Sequence, residues 1–180
     1  CDAILFTKNK NSIIPNRKED LSAFRKELLN IPTKPEDGGH YDLVVVGAGT
    51  AGLSAAIKGA REGLKVALIN NRPVPGGNNS SEIRVVASGE MNVKPYTTLG
   101  NVIREIRNVY SKEDQVIEMI QAEKMLSYFP NMHVFAASKV GKQIKSVTAK
   151  HIENGKEVEF FSPLFVDCSG DGNLGYLAGA

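Results

Sequence analysis

The 180-residue chain lacks the features that mark several large classes of protein. It has only two cysteines, Cys1 and Cys168, which are far apart in sequence, so we predict neither a disulfide nor a redox motif. Acidic and basic residues are interspersed with a formal net charge of +2, and no basic stripe favours nucleic acid. No apolar run approaches the roughly 20 residues that span a bilayer. We therefore expect no nucleic-acid partner and no membrane span, in either a cytoplasmic or a periplasmic protein.

The chain also offers few candidates for metal binding or acid–base catalysis. The three histidines, His40, His133 and His151, are isolated in sequence, without the ligand partners that a metal site needs. We therefore predict no metal site. The hydrophobic content of 42% is ordinary for a packed globular core, so the chain is apolar enough to form a folded domain.

The most informative segment runs from Tyr41 to Asn71. An apolar run at 43–46 leads into Gly47-x-Gly49-x-x-Gly52, a helical pattern follows, and a second apolar run covers 65–69. This order predicts a βαβ unit that binds a nucleotide. The first glycine permits the tight turn, the second lets backbone approach a pyrophosphate, and the third allows close packing of helix on strand. Free N–H groups at the start of the helix favour an anion.

The second strand ends in an unusual residue for such a unit. Asp or Glu normally stands there and accepts hydrogen bonds from an adenosine ribose, but this chain has Asn70 followed by Asn71. Replacing a charged hydrogen bond by a neutral one costs about 1 kcal/mol. We therefore retain the nucleotide prediction, with Asn70 accepting from the ribose.

Two further glycine-containing segments follow. Arg72-x-x-x-Gly76-Gly77 comes directly after the second strand, and the sequence SGDG at 169–172 follows a strand predicted at 164–166. A nicotinamide-dependent dehydrogenase has no need of the glycine pair.

From about Tyr41 to its last residue, the chain resembles the FAD-dependent oxidoreductase family of the two-dinucleotide-binding-domain type, close to glutathione-reductase-like flavoproteins. The resemblance rests on GAGTAG at 47–52, the arginine and glycine pair at 72–77, and DCSGDG at 167–172. It is similar in particular to bacterial members with an amide residue before RPxxGGNxSSE. The resemblance implies an oxidoreductase that binds FAD and acts on a small molecule, with flavin supplying the hydride chemistry.

The resemblance also implies which residues hold FAD. The first loop would hold the pyrophosphate, Arg72 would lie beside the adenosine end, and the glycine pair would pass under the diphosphate. Residues 78–81 would lead to the ribityl chain and flavin ring, Val140 would pair with adenine through its backbone, and the last turn would close over the cofactor. The full set is Gly47, Gly49, Thr50, Ala51, Gly52, Asn70, Asn71, Arg72, Gly76, Gly77, Asn78, Asn79, Ser80, Ser81, Val140, Ser169, Gly170 and Asp171. No catalytic residue is predicted, because Glu82 and Arg84 are equally well explained as a surface ion pair.

The remaining patterns complete an α/β fold: a Rossmann-like parallel sheet with flanking helices and a small antiparallel β insertion. Further strands are predicted at 81–88, 132–140, 145–152 and 157–161, with a hairpin at Asn154-Gly155 between the last two. Helices are predicted at 99–110 and from 112, the second capped by Ser111 and including Met125 and Leu126.

Residues 1–40 are predicted to form an extension and linker ahead of the FAD-binding domain at 41–180. The extension contains a strand at Ala3–Thr7, which resembles the last strand of a β-sandwich module, a helix at 18–30 and a linker with Pro32, Pro35 and Gly38-Gly39. We expect the FAD-binding domain to be truncated at its C-terminal end. Two alternatives remain at this point: an NAD(P)-binding dehydrogenase domain and a non-enzymatic scaffold with a nucleotide fold, for which the amide of Asn70 is the best support.

Overall fold

The computed structural model describes residues 6–180, which form two compact units. One unit ends at Lys34 and the other runs from Pro35 to Ala180. The strand predicted at Ala3–Thr7 lies mostly outside the described residues, and its last two residues, Phe6 and Thr7, are not in a strand.

The first unit contains the predicted amphipathic helix, α1 (Lys18–Leu28). Its first turn carries Glu19 and Asp20, and its last turn carries Arg25 and Lys26. This distribution of charge is favourable for the helix dipole, because acidic groups lie at the positive end and basic groups at the negative end. The prediction of a helix here is confirmed.

The second unit contains two sheets and four helices among its described residues. In chain order its elements are β1 (Glu36–His40), β2 (Leu43–Val46), α2 (Thr50–Arg61), β3 (Val66–Ile69), α3 (Asn101–Asn108), α4 (Glu113–Gln121), β4 (Leu126–Phe129), β5 (Met132–Val140), β6 (Gln143–His151), β7 (Glu157–Phe161), β8 (Phe165–Asp167) and α5 (Asn173–Ala178). A 3₁₀ turn covers Gly77–Asn79.

The central layer is a four-stranded parallel sheet in the order β4-β3-β2-β8. Every residue of β2 and β3 is buried, which accounts for their continuous apolar sequences. The predicted α/β class with a Rossmann-like parallel sheet is therefore confirmed. Because all four strands run the same way, their carboxyl ends meet at one edge, and the loops that follow β2, β3 and β8 leave the sheet there.

The second sheet has the order β1-β7-β6-β5, and its last three strands form the predicted antiparallel meander. Strand β1 was not predicted, because Gly38-Gly39 indicated a linker. The structure gives Gly38 a packing role: a Cβ there would lie 2.6 Å from the side chain of Val158. Glycine therefore permits close approach to β7, with which β1 pairs in parallel.

The parallel sheet packs on a different layer on each face, because successive side chains of a strand point to opposite sides. On one face, Leu43, Val45 and Leu68 pack with apolar residues of α2, α3 and α4. On the other, Val44 and Ile69 pack with side chains of the second sheet and of α5. The unit therefore has three layers, with the parallel sheet in the middle.

Three local predictions were wrong. Residues 81–88 form turns and irregular backbone instead of a strand, and their β-branched side chains have no neighbouring sheet to pack on. Met125 and Leu126 do not belong to the preceding helix, which ends at Gln121: Met125 lies in a turn and Leu126 begins strand β4. Ser111 does not cap α4: its φ is +53°, its N–H donates to the carbonyl of Asn79, and Lys112 is the N-cap residue.

Candidate cofactor-binding site

The loop between β2 and α2 needs two of its three motif glycines for its own packing. Gly47 has φ of +101°, and a Cβ there would lie 2.2 Å from the carbonyl oxygen of Cys168. A Cβ on Gly52 would lie 1.8 Å from the carbonyl oxygen of Gly47. Since both contacts are with backbone atoms, neither position has room for a side chain. The first and third glycines therefore shape the turn and seat the helix, as expected.

Gly49 differs from the other two glycines. Its φ of −70° and ψ of −178° are available to any residue, and a Cβ there would meet no atom of the described protein within 4 Å. Neither backbone conformation nor internal packing therefore requires glycine at this position. What glycine does provide is open space directly in front of the α2 N-terminus, where a ligand can approach the backbone.

The α2 N-terminus can hold an anion in that space. The N–H groups of the first helical turn, at Thr50, Ala51 and Gly52, have no intrahelical acceptors, and the positive end of the helix dipole lies beside them. The side chain of Thr50 is occupied elsewhere, since its hydroxyl donates to the amide oxygen of Asn79. The backbone alone thus provides the donors that a diphosphate needs.

The loop with the glycine pair lies against the first loop. The N–H of Gly76 donates to the carbonyl oxygen of Ala48 over 2.7 Å, and Gly76 pairs with Gly49 as an isolated parallel bridge. Both members of the pair have positive φ, and a Cβ on Gly77 would lie 3.0 Å from the Cα of Gly49. The pair is therefore explained by the close contact of two loops.

The side chain of Asn70 joins these two loops. It is buried, and its oxygen accepts a hydrogen bond from the N–H of Ala48 over 3.3 Å. Its nitrogen donates to the carbonyl oxygens of Arg72 and Val74 over 2.9 and 3.1 Å and lies 3.3 Å from the hydroxyl of Tyr128. The residue that we expected at the ribose is thus engaged inside the protein, whereas Asn71 is exposed and faces a cleft.

The third loop follows β8 and is organised by Asp167, which the sequence analysis did not single out. Its carboxylate accepts from the N–H and hydroxyl of Ser169 over 3.0 and 2.6 Å and from the N–H of Gly175 over 2.9 Å. Burial alone raises the pKa of Asp167, but these hydrogen bonds outweigh it and hold the pKa below its ordinary value. An acidic residue at a strand end before a glycine turn was the available signal.

The same loop lies against β2 and the first loop through Cys168. Its N–H donates to the carbonyl oxygen of Val46, at the end of β2, over 2.8 Å, and its own carbonyl lies where a Cβ on Gly47 would be. Burial, reinforced by the charge of Asp167, raises the pKa of the Cys168 thiol. The thiol is therefore protonated at neutral pH and is a poor nucleophile. Its contribution to the site is structural.

A cleft of about 310 Å³ lies at the carboxyl ends of the parallel strands. It is lined by Val46, Gly47, Ile69, Asn71, Met132, His133, Val134, Ser169, Asp171, Asn173 and Tyr176. The structure thus brings four of the predicted residues to one cleft: Gly47, Asn71, Ser169 and Asp171. The lining residues at the start of β5 and in α5 were missed. A cleft outside the carboxyl ends of parallel strands is where α/β folds bind ligands.

Val140, the residue predicted to pair with adenine, does not line this cleft. It is 67% exposed, at the end of β5 opposite Met132, and it pairs with Gln143 across the hairpin. It lies eight residue steps along the strand from Met132, about 26 Å. Val140 therefore does not line the cleft with the predicted residues of the first and third loops, and its backbone contact with adenine stays a prediction.

The predicted residues after the glycine pair make mostly internal contacts. Asn79 is buried, and its nitrogen donates to the carbonyl oxygen of Val85 over 2.7 Å. Ser80 is buried, and the Ser81 hydroxyl lies 3.3 Å from the carboxylate of Glu113. Asn78 is exposed and, with Gly170 beyond β8, is available to a ligand.

The charged residues of this segment are paired differently from our expectation. Arg72 forms an ion pair with Glu82 over 3.1 Å, on the surface. Arg84 instead donates to the carbonyl oxygen of Ser81 over 3.0 Å. The structure thus has an ion pair between Arg72 and Glu82 instead of the pair between Glu82 and Arg84 that we considered. This ion pair links the second loop to the segment that follows it.

Within residues 6–180, no helix is long and apolar enough to cross a membrane. The same residues contain no group of three or more His, Cys, Asp or Glu side chains that could hold a metal ion.

Comparison with known proteins adds to this geometry. A family model described as FAD dependent oxidoreductase matches residues 42–180. Soluble pyridine nucleotide transhydrogenases of Ectopseudomonas mendocina and Stutzerimonas stutzeri are 30% and 29% identical to the chain over 128 residues. Each alignment covers 71% of this chain and 25% of the relative. The chain thus spans about a quarter of the length of these curated relatives.

Solved structures share the fold at low identity. The flavin-dependent brominase Bmp2 is 16% identical with a TM-score of 0.53, covering 73% of this chain and 38% of that one. The L-proline dehydrogenase from P. horikoshii is 16% identical with a TM-score of 0.50, covering 77% and 24%. The family match extends over all three loops, and it confirms the family and the flavin cofactor predicted from the sequence. The chain belongs to the FAD dependent oxidoreductase family.

Proposed function

We propose that this chain is the FAD-binding portion of an oxidoreductase that acts on a small molecule. The observation that carries the proposal is the open space at Gly49, where a side chain would meet no protein atom and where the amides of α2 point. A glycine that the protein does not itself require, at the mouth of an anion site, is accounted for by a diphosphate that occupies the space.

In this proposal each part of FAD would lie on a different part of the site. The diphosphate would lie on the N–H groups of Thr50 and Ala51, with Gly76-Gly77 beneath it. The adenosine end would extend into the cleft next to Asn71. Adenine would lie beside the start of β5, which takes over the place that we had given to Val140. The support for this position is that Met132 and Val134 line the cleft on the outermost strand of their sheet.

The protein's role in this proposal is to bind and orient. When bound, FAD supplies the hydride and electron transfer chemistry. Ser169 and Gly170 would close over the cofactor, and the carboxylate of Asp171 would accept hydrogen bonds from cofactor hydroxyls. Among residues 6–180 that carboxylate has no hydrogen-bond partner, and it lines the cleft. The similarity to the transhydrogenases covers these cofactor loops, so it supports the flavin and does not identify a substrate.

The two alternatives left by the sequence lose their support. An NAD(P)-binding dehydrogenase domain does not account for the family match across the second and third loops. The non-enzymatic scaffold rested on the amide at position 70, and internal hydrogen bonds now account for that amide.

Titration of the purified protein with FAD, followed by quenching of flavin fluorescence, tests the proposal. We expect FAD to bind at least tenfold more tightly than NAD, and Gly49→Val to weaken FAD binding at least tenfold while its far-UV circular dichroism is unchanged. Lys124→Val is the control, because this exposed residue precedes β4 at the amino ends of the parallel strands, at the opposite edge of the sheet from the site. Unchanged FAD affinity in Gly49→Val, or tighter binding of NAD, would overturn the proposal.

A further inference from the structure

The hydrogen bonds of Asn70 require an amide. Its oxygen accepts from the N–H of Ala48, in the first loop, while its nitrogen donates to the carbonyl oxygens of Arg72 and Val74, in the second. A side chain that accepts on one side and donates on the other is provided by Asn or Gln, and the short chain of Asn fits between strand and loop. The amide is therefore a cross-link between the two loops that would hold the diphosphate.

A carboxylate could not make the same contacts. It has no donor, so two carbonyl oxygens at 2.9 and 3.1 Å would face a negative charge in a buried position. The ribose-binding acid that usually ends this strand is thus incompatible with the way the second loop is folded here. The departure from the usual sequence pattern has a physical cause within the protein.

Asn71 has the properties that Asn70 lacks. It is exposed, it lines the cleft beyond the carboxyl ends of β2 and β3, and within the described part of the chain its amide has no hydrogen-bond partner. Its oxygen can accept from a ribose hydroxyl and its nitrogen can donate to one.

We propose that the two adjacent asparagines have separate functions at the place where one acidic residue usually binds the ribose. Asn70 is a positioning residue that fixes the two diphosphate-binding loops relative to each other, and Asn71 recognises the adenosine ribose. This inference rests on the proposed function, since it assumes that the cleft receives the adenosine end of FAD.

The test of this inference combines changes in the ligand with substitutions in the protein. Dissociation constants for FAD, ADP and 2′,3′-dideoxy-ADP are measured by competition against FAD fluorescence for wild type, Asn70→Ala, Asn70→Asp and Asn71→Ala. Asn108→Ala, at an exposed asparagine of α3 outside the site, is the control. Thermal unfolding without ligand identifies the temperature range in which every variant is folded, and binding is measured within it.

We expect wild type to prefer ADP over the dideoxy analogue by about three- to tenfold, the effect of one neutral hydrogen bond. Asn71→Ala should abolish this preference. Asn70→Ala should weaken the binding of ADP and of the dideoxy analogue by the same factor, so that the preference is retained. A loss of stability alone would not weaken binding at a temperature where the variant is fully folded. Asn70→Asp should weaken FAD binding, because its carboxylate separates the loops.

The opposite results would overturn the inference. If Asn70 itself held the ribose, Asn70→Asp would tighten FAD binding and Asn70→Ala would abolish the preference, while Asn71→Ala would keep it. Asn70→Asp and Asn70→Ala with wild-type affinity would remove the positioning role. A wild-type protein that binds neither FAD nor ADP would refute the proposed function, a result distinct from either of these.

Discussion

Substituting Gly52 by alanine should destabilise the fold, and the same change at Gly49 should not. At Gly52 the added Cβ would lie 1.8 Å from the carbonyl oxygen of Gly47, which is itself held at φ of +101° against Cys168. The carbonyl group of Gly47 and the backbone of Cys168 cannot rotate away as a side chain could. Either the helix must move off β2 or the loop must deform.

The size of the effect follows from two opposing terms. Overpacking of a buried position costs about 1–3 kcal/mol, and a backbone clash belongs at the upper end of that range. Alanine gains at most about 1 kcal/mol over glycine within a helix. The net loss for Gly52→Ala is therefore about 2 kcal/mol, or a fall in Tm of about 4–8 °C for a domain of this size.

For Gly49→Ala the terms nearly cancel. The new Cβ meets no atom within 4 Å and the backbone is extended, so no clash or strain arises. Alanine is a poorer N-cap residue than glycine by a few tenths of a kcal/mol to about 1 kcal/mol, and the reduced freedom of the unfolded chain returns about 0.4–1 kcal/mol. We expect a change within about 0.5 kcal/mol. Urea denaturation of ligand-free protein measures both variants, and equal losses of stability would refute this reading of the loop.

Two other perturbations test the packing and the surface charges. Phe160 is fully buried and its ring contacts that of Phe129 edge to face at 4.7 Å, so Phe160→Ala should lower the free energy of unfolding by about 3–5 kcal/mol in urea denaturation; a loss below about 1 kcal/mol would contradict the core assignment. Arg61 donates two hydrogen bonds to Glu105, which lower the pKa of that carboxyl, and Arg61→Met should return the pKa to its ordinary range in an NMR titration. Arg61 also forms an ion pair with Glu123 over 2.7 Å, so the variant removes both pairs, and because both are partly exposed each should contribute less than about 1 kcal/mol. The lowered pKa of Glu105 stabilises the fold above the unfolded pKa, so this part of the difference between wild type and variant should vanish as the pH falls through the lowered pKa. A difference that persists in acid would exclude the ion pair as its source.

The elements around the first loop could be predicted from sequence because local and long-range requirements agree there. Leu43–Val46 and Val66–Ile69 are apolar throughout, and parallel strands buried on both faces require that composition. Gly63, with φ of +88°, ends α2 where a left-handed residue is needed. Each of these signals is contained in a few consecutive residues, so no knowledge of distant contacts was necessary.

The segment 81–88 shows where such signals fail. Its β-branched residues favour a strand, but strand formation needs a free sheet edge, and propensity reflects packing on a sheet more than any preference of the backbone. Here Ile83 and Val85 are 48% and 55% exposed. Only the position of the existing sheets, which is a long-range property, excludes a strand.

The proposed position of adenine follows from strand β4, which was not predicted. Leu126–Phe129 is a short apolar run, and periodicity does not distinguish such a run from the end of a helix. Once β4 is recognised as the neighbour of β3, the chain must leave the parallel sheet at Phe129 and enter β5 directly, with the N–H of Met132 donating to the carbonyl of Asn70. The start of β5 is then fixed beside the ends of β2 and β3, and the far end of the hairpin is carried away from them. The pairing of β4 with β3 thus fixes which end of β5 lines the cleft, and sequence motifs alone contain no such constraint.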